Sequence, residues 1–276
     1  MRDTVELNAR EYSAADEGAA EANAAEREPL LVLHGLFSNQ GNWGLHSKAL
    51  AERYRMIGID LRNHGESPHA PELDYQSMAE DVRALIEARG LGACTVLGHS
   101  MGGKVAMQLA LSYPALVKRL IIVDIAPVAY ESMGAGHHRV IEGMMTLDLT
   151  TALKRTDAEV HLAQHIEDEA TLKFIMTNLT RAEGGGLRWK LNVAAIKDQY
   201  DRLREKPQGK EPFDKPVLFV KGSESGYIGS EHEPEILELF PQASVKIVME
   251  AGHWVHADKP QAFQKIVFDF LEATEA

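Results

Sequence analysis

The sequence predicts an α/β protein in which helices flank a mostly parallel β-sheet and a helical cap is inserted into the sheet domain. Two observations carry this prediction. Short apolar runs alternate with segments of helical spacing, which is typical of βα units on a parallel sheet. The alternation stops over residues 128–212, which show helical patterns and no good strand. Because that interval is too long for a simple crossover, we predict a core at 1–127 and 213–276 and a cap at 128–212.

Six continuous apolar runs are the predicted strands, since strands buried on both faces have this composition. They are residues 30–34, 56–60, 95–98, 120–124, 217–220 and 245–248. Helical spacing occurs at 75–89, at 101–113 before Pro114, and from Pro260 to about Leu271.

The cap and the stretch before the first central strand do not follow the alternation of strands and helices. Within the cap, residues 160–166 and 172–179 show the amphipathic spacing of short helices. The Ala- and Glu-rich stretch 14–28, which precedes the first central strand, predicts a long hairpin tip or loop.

The composition excludes some classes of protein. The chain has 276 residues, with 41 acidic and 29 basic side chains and a formal net charge of −12. So acidic a chain is a poor candidate for nucleic acid or anionic lipid, which reward basic patches. Cys94 is the single cysteine, no internal disulfide can form, and no apolar signal segment opens the chain. We expect a cytoplasmic protein without a nucleic-acid or membrane partner, and we keep a homodimer open.

The run Gly98-His99-Ser100-Met101-Gly102 follows a predicted strand and opens a predicted helix. This is the G-x-S-x-G pattern in the strand–turn–helix setting of a nucleophilic serine. A serine exposed on so sharp a turn leaves no room for side chains at the two flanking glycines. The helix N-terminus directs free N–H groups at the same point, where they stabilise an oxyanion. The pattern therefore predicts Ser100 as a nucleophile.

The same segment, extended to Lys104, nearly matches a phosphate-binding loop, G-x-x-x-x-G-K. A nucleotide-binding protein that uses the run from Gly98 to Lys104 is therefore the alternative from a different class. Such a loop continues with a Ser or Thr whose hydroxyl holds Mg²⁺, and here that position is Val105. We therefore favour the nucleophile over the phosphate loop.

A serine nucleophile also needs donors for its oxyanion. His34-Gly35-Leu36 follows the first central strand, and Gly35 lets this loop approach closely. We predict that the backbone N–H groups of Leu36 and Met101 form the oxyanion hole. His34 is interpreted as a brace of this loop, and residues 60–67 as a structural turn.

The base and the acid of a catalytic triad have candidates near the ends of predicted strands. His253 follows the last strand and lies C-terminal to Ser100, as this chain order requires, so it is the predicted base. His256 is the second choice. A carboxylate must orient the imidazole, and both Asp124 and Glu224 lie in suitable places.

These segments resemble the α/β-hydrolase superfamily over nearly the full chain, and more narrowly small bacterial esterases of the YbfF type. The matching segments are residues 34–35, 60–67, 98–104, 123–127 and 252–257. The resemblance implies the α/β-hydrolase fold, with eight strands and the cap between strands six and seven. It also implies an acid after strand six, at Asp124. The superfamily's usual acid, in a G-x-x-D pattern after strand seven, is replaced here by Ser225.

We therefore predict a serine esterase that hydrolyses short- to medium-chain acyl esters through Ser100, His253 and Asp124. By resemblance, acyl-CoA thioesters are a further candidate substrate, and neither a metal nor an organic cofactor is implied. Hydrolysis of carbon–carbon bonds and formation of peroxyacids are alternatives on the same triad, because the fold alone does not define a substrate.

Several residues of the cap have weaker interpretations. His161 and His165 lie one helical turn apart, and we interpret them as solvated side chains rather than as a metal pair. His137 and His138 are predicted to lie in a surface loop. Asn192 is a candidate for shaping a pocket.

Overall fold

The computed structural model describes residues 3–12, 27–130, 135–149 and 154–275. Most of the predicted loop at 14–28 therefore lies outside the described residues. The strands are β1 (Ala9–Glu11), β2 (Pro29–Leu33), β3 (Arg55–Ile59), β4 (Cys94–His99), β5 (Val117–Val123), β6 (Leu179–Arg181), β7 (Leu187–Trp189), β8 (Val217–Gly222) and β9 (Ala243–Val248).

The helices are α1 (Gly44–Ala51), α2 (Tyr75–Ala88), α3 (Met101–Ser112), α4 (Ala135–Thr146), α5 (Arg155–Leu162), α6 (Glu169–Met176), α7 (Val193–Gln199), α8 (Glu233–Leu239), α9 (Val255–Asp258) and α10 (Pro260–Ala273). Short 3₁₀ helices span Gln40–Trp43, Pro114–Leu116, Tyr200–Arg204 and Ser230–His232. None of the described helices combines the length and the apolar character that crossing a membrane requires.

Seven strands form the main sheet, in the order β1-β3-β2-β4-β5-β8-β9. β1 pairs antiparallel with β3, and the other neighbouring pairs are parallel. All six predicted strands are present, so the mostly parallel sheet is confirmed. The expected sheet of eight strands is wrong for the described residues, whose main sheet has seven. The short edge strand β1 escapes sequence analysis because Ala9-Arg10-Glu11 contains no apolar run.

The sheet lies between two apolar layers, and β2 contributes to both. Leu31 and Leu33 pack in the layer that contains α2 and α3, whereas Leu30 and Val32 pack in the layer that contains α1 and α10. This alternation follows from the two-residue period of a strand. All four side chains are buried, and each contributes about 1.5–3 kcal/mol by leaving water. The sheet is thus a firm base for the loops at its carboxyl edge.

Between β5 and β8 the chain forms the helices α4 to α7 and a two-stranded hairpin, β6–β7. The expectation that this interval has no strand is therefore wrong. The hairpin turns at Gly185 and Gly186, whose φ angles of 91° and 76° suit glycine, and each of its strands has only three residues. Runs this short leave no periodic signal. The cap boundaries at 128 and 212 stay a prediction.

Polar contacts attach this interval to the core. The Asn178 side chain donates to the Phe37 carbonyl at 2.7 Å, and the Asn192 side chain donates to Asn63 Oδ1 at 3.0 Å. Asn192 thus binds the 60–67 turn, and it is not among the residues that line the pockets described below. Its predicted pocket-shaping role is replaced by an anchoring one.

Candidate active site

Ser100 occupies a tight turn between β4 and α3, with φ 53° and ψ −118°. A Cβ atom added at Gly98 would lie 2.3 Å from the Gly102 carbonyl oxygen. A Cβ atom added at Gly102 would lie 2.4 Å from the Leu33 carbonyl oxygen. Both distances are far inside van der Waals contact, so the steric reason for the two glycines is confirmed. The turn keeps its strained φ because the backbone on both sides of Ser100 is packed closely.

Asp124 is fully buried directly after β5, also with a positive φ of 51°. Its Oδ2 accepts a hydrogen bond from His253 Nδ1–H at 2.8 Å, and its Oδ1 accepts one from the Gly222 N–H at 3.0 Å. A buried carboxylate is stable only when such donors replace water. The structure therefore brings together Asp124 and His253, which lie 129 residues apart in the chain. The hydrogen bond to Asp124 uses Nδ1 of the imidazole and leaves Nε2 for a different contact.

Sequence analysis did not identify the contact between Ser225 and Asp124. The Ser225 hydroxyl donates to Asp124 Oδ2, the oxygen that also accepts from His253. Ser225 was singled out only because it replaces the usual acid. Its hydroxyl hydrogen-bonds to the predicted acid, Asp124, which follows the neighbouring strand β5.

Two aromatic side chains position the His253 loop. The Tyr227 ring stacks on the imidazole of His253, with a centroid distance of 4.0 Å and an interplanar angle of 26°. His99 Nε2–H donates to the His253 carbonyl at 2.9 Å, and burial lowers the pKa of His99, so its ring is neutral. No local pattern in the sequence signals either contact, because the partners come from different strands.

The alternative base and the alternative acid have surroundings that differ from those of His253 and Asp124. His256 also lines the large pocket described below. His256 stacks on Trp43 at 4.2 Å between ring centroids, and burial lowers the pKa of His256 to about 3. Its Nδ1 is buried without a hydrogen-bond partner among the described residues. Glu224 is exposed to solvent. The geometry thus favours His253 over His256 and Asp124 over Glu224.

Leu36, Ser100 and Met101 line one small cavity of about 50 Å³. The two residues predicted to supply the oxyanion donors thus line the same cavity as the serine, and the oxyanion hole stays a prediction. A second, larger pocket of about 710 Å³ also contains Leu36 and Ser100, and it is lined in addition by His253 and Trp254. Ser100 therefore lies where the two cavities meet.

The prediction of a loop at His137 and His138 is wrong, because both residues are helical; His138 is exposed, as predicted, whereas His137 lines both cavities. Both residues lie on α4, and His137 Nδ1 is 2.7 Å from the Tyr200 hydroxyl. Burial lowers the pKa of His137 to about 4. The sequence signal is weak here because Gly134-Ala135-Gly136 precedes the pair and resembles a loop.

The interpretation of His34 as a brace is confirmed. Its Nδ1–H donates to the Gly35 carbonyl at 2.8 Å, and its Nε2 accepts from the Leu61 N–H at 3.0 Å. The turn at 60–67 is likewise structural, since Asp60 accepts hydrogen bonds from the backbone N–H groups of Gln40 and Glu66.

Lys104, one helical turn after Ser100, is buried and lines the small cavity. Its Nζ donates to the carbonyls of Val128 at 2.8 Å and Glu205 at 2.6 Å, with the Arg204 carbonyl at 3.4 Å. Burial lowers the pKa of Lys104 to about 7. Because its donors face backbone carbonyls, this lysine is not presented to a phosphate, which argues against the phosphate-loop alternative.

His161 and His165 lie 5.5 Å apart between ring centroids. His161 Nε2 is within hydrogen-bond distance of Thr146 Oγ1 and the Gly143 carbonyl. In the part of the chain that the structure describes, no group of three or more His, Cys, Asp or Glu side chains could hold a metal ion.

Comparisons with known proteins define the class. The alpha/beta hydrolase fold family matches residues 28–260. The chain is 38% identical over 248 residues to the sn-1-specific diacylglycerol lipase ABHD11 of Mus musculus, covering 88% of this chain and 80% of that protein. It is 32% identical over 251 residues to Esterase YbfF of Escherichia coli strain K12, covering 90% and 95%.

A solved structure of a marine microorganism esterase superposes with a TM-score of 0.90 at 34% identity, covering 97% of this chain and 100% of the other. The chain therefore belongs to the α/β-hydrolase fold family. Within that family it is a hydrolase of the esterase/lipase type.

Proposed function

We propose that the protein is a serine esterase that cleaves uncharged carboxylic esters through Ser100, His253 and Asp124. The observation that carries this proposal is the hydrogen bond from His253 to the buried Asp124. His253 lines the same pocket as Ser100. An imidazole fixed in this way keeps its second nitrogen free to act as a base. Its relatives named esterase and lipase support the same reaction class.

In the proposed reaction, His253 takes the proton of Ser100 Oγ, and the oxygen attacks the ester carbonyl carbon. The carbonyl oxygen becomes an oxyanion that accepts hydrogen bonds from the N–H groups of Leu36 and Met101. When the intermediate collapses, His253 gives the proton to the leaving alcohol. A water molecule then repeats the cycle on the acyl-enzyme and releases the acid. Asp124 stays ionised and stabilises the imidazolium.

These steps use protein groups and water alone. The same attack would cleave a thioester. The shape and charge of the pockets, rather than the triad, therefore determine which substrates are accepted. We also propose a reducing compartment, because the chain has a single cysteine, Cys94, and cannot form an internal disulfide.

The test is covalent labelling combined with kinetics. A fluorophosphonate should add one label to the wild-type protein and none to Ser100→Ala. The same variant should lose about 10⁴–10⁶ in kcat toward p-nitrophenyl acetate, as removal of a triad member does elsewhere. The control is Ser223→Ala, a loop serine whose hydroxyl accepts from the Glu250 N–H; it should keep its label and its rate. Full activity of Ser100→Ala would overturn the proposal.

A further inference from the structure

The two cavities that meet at Ser100 differ in size and in their access to His253. The small cavity, of about 50 Å³, contains Leu36, Met101 and Ser100 and is not lined by His253. The large pocket, of about 710 Å³, is lined by both Ser100 and His253. An ester bound at the serine therefore has two unequal spaces for its two halves.

The direction of proton transfer assigns each half to a space. His253 must protonate the leaving oxygen, so that oxygen has to lie within hydrogen-bond reach of the imidazole. The alcohol half consequently extends into the large pocket, and the acyl half points away from His253 into the small cavity. We propose that the enzyme is specific for short acyl esters of larger, uncharged alcohols. This proposal rests on the proposed function and deepens it.

The small cavity limits the acyl group. Aromatic and aliphatic side chains form most of its lining, including Tyr75, Tyr130 and Leu203, and all three are buried. Lys104 and Arg204 also line it. Tyr75 is held by a 2.5 Å hydrogen bond from its hydroxyl to the Leu203 carbonyl, so the wall is braced. Its volume of about 50 Å³ is far below the roughly 710 Å³ of the large pocket, so it receives the shorter half of the ester. We therefore expect short acyl groups such as acetyl to be preferred over hexanoyl.

The charges around the large pocket select the leaving group. Among the described residues that line it, Arg139 is the one Lys or Arg, and it pairs with Glu167 at 2.9 Å. Asp168 and Asp258 add two further acidic side chains. A leaving group that carries several phosphates, such as coenzyme A, meets net negative charge there. The geometry thus points to neutral alcohols and away from CoA thioesters.

The first experiment separates the two cavities by substitution. Leu203 lines only the small cavity and Phe174 lines only the large one, where its ring packs 5.4 Å from Trp254. Leu203→Ala should raise the ratio of kcat/KM for p-nitrophenyl hexanoate to that for the acetate about tenfold, because one methylene in a pocket is worth 10-fold or more. Phe174→Ala should leave that ratio within about twofold and instead change the ratio between decyl and ethyl acetate.

The second experiment tests the effect of charge with the acyl group held constant. Acetyl-CoA and S-acetyl-N-acetylcysteamine share the acetyl thioester, and only the first carries phosphates, together with a pantothenate arm and adenosine; the dependence on salt separates charge from size. The neutral thioester should show a kcat/KM about tenfold or more above that of acetyl-CoA, and added salt should narrow the difference.

The outcomes separate this inference from the proposed function. An acyl ratio that responds to Phe174→Ala and not to Leu203→Ala would overturn the assignment of the cavities, while activity persists and still depends on Ser100. A preference for acetyl-CoA over the neutral thioester would overturn the charge argument. A protein that hydrolyses none of these esters would overturn the proposed function itself.

Discussion

The carboxyl edge of the sheet and the interval between β5 and β8 are built in different ways. At the sheet edge, Asp124 is fully buried and accepts hydrogen bonds from His253, Ser225 and Gly222. In the interval, helices of 7 to 12 residues carry exposed ion pairs such as Lys173–Glu169, with both side chains more than 60% exposed. Buried networks are costly to break, whereas exposed pairs contribute little.

This difference predicts which property a substitution should change in each of the two regions. Substitutions at the sheet edge should alter the chemical step, because the residues of the proposed triad depend on one another. Substitutions in the β5–β8 interval should alter which ester fits, as argued above for Leu203, while the chemistry persists. Lys104 joins the two regions, since it lies on α3 beside Ser100 and binds the backbone at both ends of the interval.

The largest effect is expected at the acid. Asp124→Asn should lower kcat by about 10²–10⁴, because an amide can favour the wrong imidazole tautomer. The matched control is Glu224→Gln, which should stay within about tenfold, since Glu224 is exposed. Steady-state kinetics on p-nitrophenyl acetate measure both. A dead Glu224→Gln beside an active Asp124→Asn would reverse the assignment and place the acid after β8.

The next effect concerns the link between the two regions. Lys104→Met removes the donor that Val128 and Glu205 share, and it leaves their part-buried carbonyls without that partner. At pH 9 we expect a loss of about 1–3 kcal/mol in the free energy of unfolding, because two hydrogen bonds are lost at about 0.5–1.5 kcal/mol each. Lys215→Met is the control. Its Nζ also donates to two carbonyls, but it is half-exposed, so the loss should stay below about 1 kcal/mol.

The sign of the pH dependence sharpens this test. Burial lowers the pKa of Lys104 to about 7, whereas the unfolded chain keeps a value near 10.4. Between these values the unfolded state binds more protons, so wild-type stability rises with pH across the window. The deficit of Lys104→Met should therefore be largest near pH 9–10 and shrink at pH 6. Urea unfolding at both values measures it. If Lys104→Met lost the same free energy of unfolding at pH 6 and at pH 9, the lowered pKa of Lys104 would be contradicted.

The smallest effect is expected at Ser225. Ser225→Ala removes one hydrogen bond to Asp124, which is worth about 0.5–1.5 kcal/mol, and kcat should fall about 2- to 10-fold. Ser225→Thr keeps the hydroxyl and should restore most of the rate. Ser223→Ala, in the same loop, tests whether any lost hydroxyl has this effect. If Ser225→Ala matches wild type in kcat and KM, the hydroxyl does not position the acid.

Sequence analysis alone identified the groups whose spacing is local. The G-x-S-x-G turn identified Ser100 because five consecutive residues create the steric requirement, and the six apolar runs identified the sheet because burial on both faces demands them. The end of α3 at Ser112 and the start of α10 at Pro260 were also predicted closely, because Pro114 follows the first boundary and Pro260 forms the second. In each case the physical cause lies within a few residues of its effect.

The tertiary structure decided what depends on residues that are distant in the chain. Asp124 and Glu224 are both carboxylates near strand ends, and only packing buries one beside His253 and leaves the other in water. The contact of Ser225 with that acid and the placement of His137 on a pocket wall likewise carry no local pattern. A pocket is the space left unfilled where side chains from several parts of the chain pack together. The unequal sizes of the two cavities at Ser100 could therefore be seen only in the folded structure.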